Sequence, residues 1–306
     1  MRHIPVLLNE IIESLQIKSG MNVVDCTLGD GGHAQAILEK IGPKGKLLGI
    51  DADAESILRA KRFLYNFGDR VIYARENFLN LKSIIEKNNF FPVNAILMDL
   101  GWSMPQFMER ERGFSFEKDE PLDMRYDIAS GQKTAKDILN QYDKEELANI
   151  FKIYGEEKLY MEIASAVVEF RKDKLMERTG ELTEVILSVY RKKLRTDKEV
   201  PWIGGIHPAT KVFQALRIAV NSELETLRQA LPQAVESLAP GGRLAVISFH
   251  SLEDRIVKQY FRSINGRQSN GVEFRIINKK PIIAGEEELA INFSARSAKL
   301  RVIEKI

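Results

Sequence analysis

Short, nearly continuous apolar runs alternate with amphipathic stretches along much of the chain. The runs predict six or seven strands, at roughly residues 22–27, 46–51, 71–76, 95–100, 243–249, 273–279 and 299–305. Helical periodicity between the first four runs predicts helices at 32–41, 54–67 and 79–88. Such apolar strands, alternating with helices, are typical of a parallel sheet covered on both faces. The last two strands, joined by Lys280 to Ser297, are predicted to form an antiparallel hairpin at the sheet edge.

The segment between the fourth and fifth strands is far too long for a single crossover. It has roughly 140 residues, whereas a crossover needs about 10–30. Its apolar positions recur at helical spacing, and Asp143 with Glu146 forms a capping-box pattern. Pro208 predicts the start of another helix. We therefore predict an α/β core at 1–106 and 207–306, interrupted by an all-helical substrate-recognition subdomain at 107–206.

Composition and charge narrow the class of protein without defining its function. The lone Cys26 excludes an internal disulfide framework and suits a reducing compartment. No apolar stretch has membrane-spanning length and no signal-peptide core is visible, so we expect a cytoplasmic protein without a membrane partner. The net charge of +2 does not itself indicate nucleic acid. Basic clusters at Arg171–Lys174, Arg191–Arg195 and Arg296–Arg301 fit either solvated surfaces or a surface that contacts phosphates.

A glycine-rich loop between the first strand and the first predicted helix of the core indicates a cofactor site. It reads Asp25-Cys-Thr-Leu-Gly-Asp-Gly-Gly-His33, and Asp51 ends the second strand. Glycines let a ligand approach the backbone, and an acidic residue there can accept hydrogen bonds from ribose hydroxyls. Asp25 would repel phosphates but attract a cationic tail, which favours S-adenosylmethionine over a nicotinamide dinucleotide. His33 either contacts the cofactor or simply occupies the first helical turn.

The fourth strand ends at Asp99, followed by a turn and Trp102. An exocyclic amine on a base is a poor nucleophile because its lone pair is delocalised. A carboxylate that accepts its hydrogens helps to localise that pair, and an aromatic side chain can stack an extruded base. The sequence thus favours amine methylation, with Asp99 and Trp102 as the catalytic pair. A capped strand end with a buried tryptophan is the structural alternative.

Other polar motifs have simpler explanations. Ser251-Leu-Glu-Asp254 reads as a capping box, which argues against a hydrolase nucleophile. Four scattered histidines and one cysteine give no zinc-ligand spacing, so we expect no metal. After Pro208, one side of the helix is either a surface that binds something polar or a solvated face. Its residues are Thr210, Gln214, Arg217 and Asn221.

Over essentially its whole length the chain resembles the bacterial small-subunit ribosomal RNA cytosine-N4 methyltransferases, the RsmH/MraW family. The resemblance is carried by these blocks: His3-x-Pro-Val-Leu7, Asp25-x-Thr-x-Gly-x-Gly-Gly-His33, Asp99-Leu-Gly, Pro105-Gln106, Arg112-Gly-Phe-Ser-Phe116, Pro121-Leu-Asp-Met-Arg125, Gly155-Glu-Glu157, His207-Pro-Ala-Thr210, Phe213-Gln-Ala-Leu-Arg-Ile218, Gly241-Gly-Arg243, Ile247-Ser-Phe-His-Ser-Leu-Glu-Asp-Arg255 and Arg296-Ser-Ala-Lys-Leu-Arg301. Two blocks depart from the family pattern. Trp102-Ser-Met104 stands where Val-Ser-Ser is usual, and Asn292-Phe-Ser-Ala-Arg-Ser297 where Asn-Pro-Arg-x-Arg-Ser is usual.

The resemblance implies a class I, Rossmann-like S-adenosylmethionine-dependent methyltransferase with a seven-stranded, mostly parallel sheet and a helical insertion. Its substrate would be a decoding-centre cytosine of 16S ribosomal RNA in the assembled 30S subunit. Implied cofactor contacts are Gly31, Gly32, His33, Asp51, Phe78, Asp99 and Gln106. The RNA contacts that we expect are Arg112, Arg125, Thr210, Gln214, Arg217, Asn221 and Arg296.

We predict in-line transfer of a methyl group to a cytosine amine, without a metal or a covalent intermediate. The two departures leave the cofactor residues intact but put the shape of the base pocket and one phosphate contact in question. The alternatives are a methyltransferase for DNA, protein or a small molecule, an NAD-dependent oxidoreductase, and a non-enzymatic assembly factor. The sequence also leaves a homodimer open.

Overall fold

Seven strands pair into one sheet in the computed structural model, which describes residues 4–101, 111–128, 131–203, 205–266 and 272–306. The strands are β1 (Asn22–Asp25), β2 (Lys46–Asp51), β3 (Val71–Arg75), β4 (Val93–Asp99), β5 (Leu238–Ser248), β6 (Phe274–Ile276) and β7 (Lys299–Lys305). Their order in the sheet is β3-β2-β1-β4-β5-β7-β6. The predicted seven-stranded α/β fold is therefore confirmed.

The direction of the strands sets where a site can form. Strands β1 to β5 pair in parallel, whereas β7 runs antiparallel to both β5 and β6. The predicted antiparallel pair at the sheet edge is thus present. The strand order reverses at β1, which lies between β2 and β4, and ligands of such sheets bind at this point, beyond the carboxyl ends of the strands.

The chain divides into two compact units: an α/β unit (Met1–Met104 with Leu224–Ile306) and a helical unit (Pro105–Glu223). In the α/β unit, alternate residues of the central strands enter different apolar clusters. Val23 and Leu47 pack into one cluster, and Val24 and Leu48 pack into another. Because successive side chains of a strand point to opposite faces, this alternation shows that both faces of the sheet are buried.

The helices of the α/β unit largely follow the sequence pattern. The helices up to β4 are α1 (Leu8–Ser14), α2 (Gly32–Ile41), α3 (Ala54–Phe63) and α4 (Leu81–Lys87). Helix α3 is shorter than predicted, because the chain continues from Tyr65 to Arg70 as a 3₁₀ helix that Gly68 interrupts with φ 55°.

The helical unit has its own core. Its helices are α5 (Ala135–Gln141), α6 (Lys144–Gly155), α7 (Tyr160–Asp173), α8 (Thr179–Leu194) and α9 (Thr210–Asn221). The predicted capping box is present, because Asp143 and Glu146 each accept a backbone N–H from the other. A Cβ on Gly155 would lie 2.6 Å from the Lys211 carbonyl oxygen, so glycine permits close packing of α6 on α9.

The predicted boundary between residues 206 and 207 is wrong. Helix α9 belongs to the helical unit, where Phe213, Leu216 and Val220 enter the same apolar core as Phe151. The sequence showed that α9 has an apolar face but not which core that face joins. Pro208 also lies ahead of the helix, whose first residue is Thr210. The other predicted boundary, at 106/107, falls outside the described residues.

The elements after the helical unit complete the α/β unit. They are α10 (Glu223–Ser237), α11 (Ser251–Ile264) and α12 (Glu286–Ile291), together with β5 to β7. Within the described residues, no helix combines the length and apolar character needed to cross a membrane.

Replacing Phe151 tests the separate core of the helical unit. Phe151 is fully buried, whereas Ile153 on the same helix is 56% exposed. We expect Phe151→Ala to lower the free energy of unfolding of this unit by about 3–5 kcal/mol. Ile153→Ala should change the same free energy by less than about 0.5 kcal/mol. Hydrogen exchange measured by mass spectrometry should show the loss of protection within Pro105–Glu223. Equal effects of the two variants would contradict this packing.

Candidate functional site

The loop after β1 is tied to the end of β2. Leu28 N–H donates to the Ile50 carbonyl oxygen at 2.9 Å, and Gly29 N–H donates to Asp51 Oδ2 at 2.8 Å. Asp51 Oδ1 accepts from the N–H of Asp53 at 2.8 Å. The carboxylate is thereby held in one orientation, and a carboxylate oxygen can accept more than one hydrogen bond, which suits a ribose hydroxyl.

The same loop is tied on its other side to β4. Cys26 N–H donates to the Leu97 carbonyl oxygen at 2.9 Å, and Asp99 N–H donates to Thr27 Oγ1 at 2.8 Å. The loop therefore connects the carboxyl ends of both strands that flank β1. Asp51 and Asp99 are brought to one edge of the sheet, with the loop between them.

Three carboxylates meet at this edge, and two of them are largely buried. Asp25 is 1% exposed, and the side chain of Asp99 is 17% exposed. Burial raises the pKa of Asp25 to about 6, opposed mainly by His33. Burial, with a contribution from the nearby Glu253 charge, raises the pKa of Asp99 to about 7. A cation bound here would favour the ionised carboxylates and lower both pKa values.

His33 lies between the loop and Asp99. Its Nε2 is 2.9 Å from the Val6 carbonyl oxygen, so Nε2 carries a hydrogen. Its Nδ1 is 3.5 Å from Asp99 Oδ2. Burial lowers the pKa of His33. In the neutral ring Nδ1 is therefore an acceptor that faces Asp99, and the pair can share one proton.

Two glycines shape the start of α2. Gly31 has φ 87°, and a Cβ there would lie 3.1 Å from Leu64 Cδ1. A Cβ on Gly32 would lie 2.6 Å from Pro5 Cγ. Both positions thus require glycine. The first N–H groups of α2 have no partner within the helix, and they can hold the carboxylate of an amino-acid tail.

Phe78 follows the carboxyl end of β3, the next strand at this edge of the sheet. It begins a short 3₁₀ turn after β3, and Asn77 caps this turn by accepting from the Leu79 N–H at 2.9 Å. Its ring is half-buried against the apolar cluster that contains Val24. The half-exposed ring offers a surface on which an adenine can pack.

The residues at this edge fit S-adenosylmethionine better than a dinucleotide. Asp25, Asp51 and Asp99 oppose a pyrophosphate and favour the sulfonium and ammonium charges. Asp99 Oδ1 is buried without a hydrogen-bond partner among the described residues. An unsatisfied buried oxygen can accept a hydrogen bond from a donor on a ligand. Trp102 and Gln106, the remaining predicted catalytic and cofactor residues, lie outside the described residues.

Comparison with known proteins identifies the family. A model of the MraW methylase family matches residues 1–306. The chain belongs to this family. It is 44% identical over 319 residues to ribosomal RNA small subunit methyltransferase H of Clostridium botulinum (strain Loch Maree / Type A3), a match that covers 100% of this chain and 99% of that protein. It is 42% identical over 315 residues to the protein of the same name in Clostridioides difficile (strain 630), covering 99% of each.

Family membership makes the protein an S-adenosylmethionine-dependent methyltransferase, and it confirms the predicted cofactor and the prediction of a methyltransferase. Among solved structures, the chain is similar to an rRNA methylase from Streptococcus thermophilus. That match has a TM-score of 0.44 at 12% identity and covers 98% of this chain and 93% of the other. The roles of single residues toward the cofactor remain predictions.

The polar side of α9 was predicted as a surface that binds RNA, but the structure gives its residues internal partners. Asn221 is 6% exposed; its side chain donates to the Met124 carbonyl oxygen at 2.7 Å and accepts from the Tyr126 N–H at 2.9 Å. Gln214 donates to the Tyr154 carbonyl oxygen at 3.0 Å. These contacts join α9 to its own unit and give both side chains a structural role.

Two arginines of the helical unit also have internal anionic partners. Arg217 forms a two-pronged ion pair with Glu223, with N–O distances of 2.9 and 3.0 Å. Arg125 pairs in the same way with Asp123, with both distances at 2.7 Å. Sequence alone could not reveal that these guanidinium charges are compensated inside the unit, and both fit a structural role better than RNA binding.

The remaining predicted RNA contacts differ in exposure. Arg112 is half-buried, and its Nη1 lies 3.4 Å from the Tyr126 carbonyl oxygen. Thr210 is half-exposed at the start of α9. Arg296 of the α/β unit is exposed, and its guanidinium lies 4.6 Å from the centre of the Phe293 ring, which is 72% exposed. Of the predicted set, Arg296 is the most accessible cation.

The capping box predicted at Ser251 is placed differently in the structure. Ser251 is the first residue of α11, and the cap position belongs to His250. Glu253, which is 3% exposed, accepts from the N–H groups of Phe249 and His250. The sequence reading missed the role of Glu253 near Asp99. It also missed Thr27, whose hydroxyl fixes the backbone of Asp99.

The raised pKa values of Asp25 and Asp99 predict that cofactor affinity depends on pH. Both groups ionise as pH rises through about 6 to 7. A cationic ligand should therefore bind more tightly at pH 7.5 than at pH 5, a range in which an amino-acid ammonium stays largely protonated. Calorimetry with S-adenosylmethionine at both pH values should show this increase. Equal affinities would contradict a role for these carboxylates in binding.

Replacing Asp51 tests the predicted ribose contact. In Asp51→Asn, an amide N–H₂ would face one of the two backbone donors, and a charged acceptor would be lost. We expect S-adenosylmethionine to bind about 10- to 100-fold more weakly, as for a hydrogen bond to a charged group. A 2′-deoxyribose analogue provides the matched control. It should bind more weakly to the wild type and lose less further affinity in the variant than S-adenosylmethionine does, and an equal further loss would remove Asp51 from the ribose site.

Proposed function

We propose that this methyltransferase transfers the methyl group of S-adenosylmethionine to the exocyclic N4 amine of a cytosine in the decoding centre of 16S ribosomal RNA, on the assembled small subunit. The observation that carries the proposal is the buried Asp99 carboxyl at the end of β4, whose Oδ1 lacks a hydrogen-bond donor among the described residues. The names of the relatives, which refer to the small-subunit ribosomal RNA, support the substrate.

Asp99 is suited to orient an amine. Ionised, it only accepts hydrogen bonds, so it selects a donor such as an amino group over a carbonyl. Accepting an amine hydrogen at Oδ1 would draw the nitrogen lone pair away from the base ring. The low polarity of a buried site strengthens this interaction relative to water. The carboxylate thus raises the nucleophilicity of an otherwise weak nitrogen.

Asp99 can also take up the proton that the amine releases after methylation. Burial raises the pKa of Asp99, and a raised pKa helps the carboxyl to hold this proton. His33 Nδ1, 3.5 Å from Oδ2, offers the next acceptor position. These two side chains therefore form a short route for one proton, and the route needs no metal ion.

The cofactor, when bound, supplies an electrophilic methyl on a positively charged sulfur. The chain's own contribution is to hold this donor and the amine in line. We assign the ribose to Asp51, the adenine to Phe78, and the amino-acid tail to Gly31, Gly32 and His33. Positioning of this kind is worth at most about 7–11 kcal/mol of the barrier.

The α/β unit also carries an exposed contact that suits RNA. The Phe293 ring is 72% exposed and is covered on one face by Arg296. An unpaired base can stack on an aromatic ring or on a guanidinium plane, and sequence-specific RNA recognition relies on such splayed bases. Phe293 stands where the family usually has proline. We propose Arg296 with Phe293 as RNA-binding residues.

The proposed function is tested by Asp99→Asn on purified small subunits that lack the modification. Loss of the carboxylate acceptor should lower the single-turnover rate by about 10²- to 10⁴-fold, while the fold and much of the cofactor affinity are retained. Mass spectrometry of the ribosomal RNA should detect N4-methylcytidine with the wild type.

Asp69→Asn, which alters an exposed aspartate of the same unit, is the matched control and should retain full turnover. Full turnover by Asp99→Asn would refute the catalytic assignment. Methylation of DNA, protein or small molecules in place of the small subunit would refute the substrate.

A further inference from the structure

A basic surface pocket in the α/β unit is lined by residues that the candidate cofactor site does not use. It has a volume of about 240 Å³ and lies between α11 and the segment that follows β6. Four of its seven lining residues are cations, and none is acidic. The cations are Lys258, Arg262, Lys279 and Arg301.

Arg301 is the buried member of the pocket. It is 7% exposed, and Asp254 orients it by accepting from Nε at 2.7 Å and from Nη2 at 3.2 Å. The Nη1 group donates no hydrogen bond to the residues that the structure describes. The guanidinium is therefore held rigidly with one nitrogen available for a further acceptor.

The other three cations lack carboxylate partners within the described part of the chain. Lys258 and Arg262 lie four residues apart on α11, where like charges destabilise a helix. Lys279 is positioned by its neighbour Asn278, whose side chain donates to the Lys280 and Leu300 carbonyl oxygens at 2.9 and 2.8 Å and accepts from Val302 N–H. Asp254 compensates only one of the four charges.

Simpler explanations do not account for this arrangement. Arg262 is in the last turn of α11, where the helix dipole favours a cation. The dipole does not explain Lys258 in the middle of the helix or Lys279 on another segment. Cations that serve only solubility would spread over the surface instead of converging with a buried arginine on one pocket.

We propose that this pocket binds a backbone phosphate of the RNA substrate. The proposal rests on the proposed function, because it takes RNA as the partner. The pocket is smaller than the sites of about 300–1,000 Å³ that hold drug-sized ligands, which suits a phosphate group better than a whole nucleotide. The neighbouring Phe261 and Ile276 give the pocket an apolar side, which strengthens an ion pair relative to open solvent. The contact would hold a part of the RNA other than the target nucleotide.

The test compares a double variant, Lys258→Gln with Arg262→Gln, with a control that has the same change in net charge. The control is Lys40→Gln with Lys44→Gln, two exposed positions of the same unit that lie outside the pocket. Affinity for unmodified small subunits is measured as a function of salt concentration. Each lost phosphate contact should reduce the slope of log K against log salt by about 0.7–0.9, and we expect at least about tenfold weaker binding in low salt.

Lys279→Gln provides a second variant that leaves α11 unchanged, so its effect cannot come from unfolding of the helix. It should weaken binding in the same direction. Unchanged affinity for S-adenosylmethionine checks that all the variants are folded. Affinities and slopes equal to those of the control pair would overturn the proposal. The proposal would also be overturned if inorganic phosphate stabilised the protein against thermal unfolding while the pocket variants bound small subunits as tightly as the wild type does. The pocket would then bind a free anion and not the RNA.

Failure of the proposed function would be seen separately. If the wild type bound small subunits but produced no N4-methylcytidine, the substrate chemistry would be wrong while the binding comparison still tested the pocket. If methylation occurred and the pocket variants bound like the control, only the pocket proposal would fail.

Discussion

The burial of two carboxyl groups at the ends of β1 and β4 is the constraint on which the rest of this site depends. Burial raises the pKa of Asp25 to about 6 and of Asp99 to about 7, so keeping both ionised at neutral pH is costly in the free protein. Each unit of pKa shift corresponds to about 1.4 kcal/mol. A cationic cofactor reduces this cost, whereas a phosphate would increase it. The buried carboxyl groups therefore favour a cationic methyl donor over a phosphate-containing cofactor, independently of the individual hydrogen bonds.

The sequence predicted the sheet well because both signals it used are local. Apolar runs located β1 to β4, and the glycines around Gly31 marked a turn that larger residues cannot make. Asp51 and Asp99 could be placed at one edge because parallel strands end together. The sequence could not predict that His33 and Asp99 can share a proton, because this depends on the 3.5 Å distance between His33 Nδ1 and Asp99 Oδ2 in the folded chain.

The helical unit shows contacts that the sequence alone could not reveal. Arg125 and Arg217 look like phosphate ligands in the sequence, yet Asp123 and Glu223 neutralise them. Asn221 is polar, so the sequence suggests an exposed side chain. In the structure it is buried and forms hydrogen bonds with the backbone. A polar residue on a helix can bind a ligand or the chain itself, and only the fold decides between the two. By the same reasoning, cations for which the described residues offer no carboxylate partner, such as Lys258 and Lys279, are better candidates for contact with RNA.

The most direct measurement is a crystal structure of the protein with S-adenosylmethionine and a cytidine-containing oligonucleotide. The account predicts ribose hydroxyls on the Asp51 carboxylate, and the cytosine amine on Asp99 Oδ1 in line with the methyl group. A cofactor bound at another edge of the sheet, or an amine that faces a group other than Asp99, would contradict it.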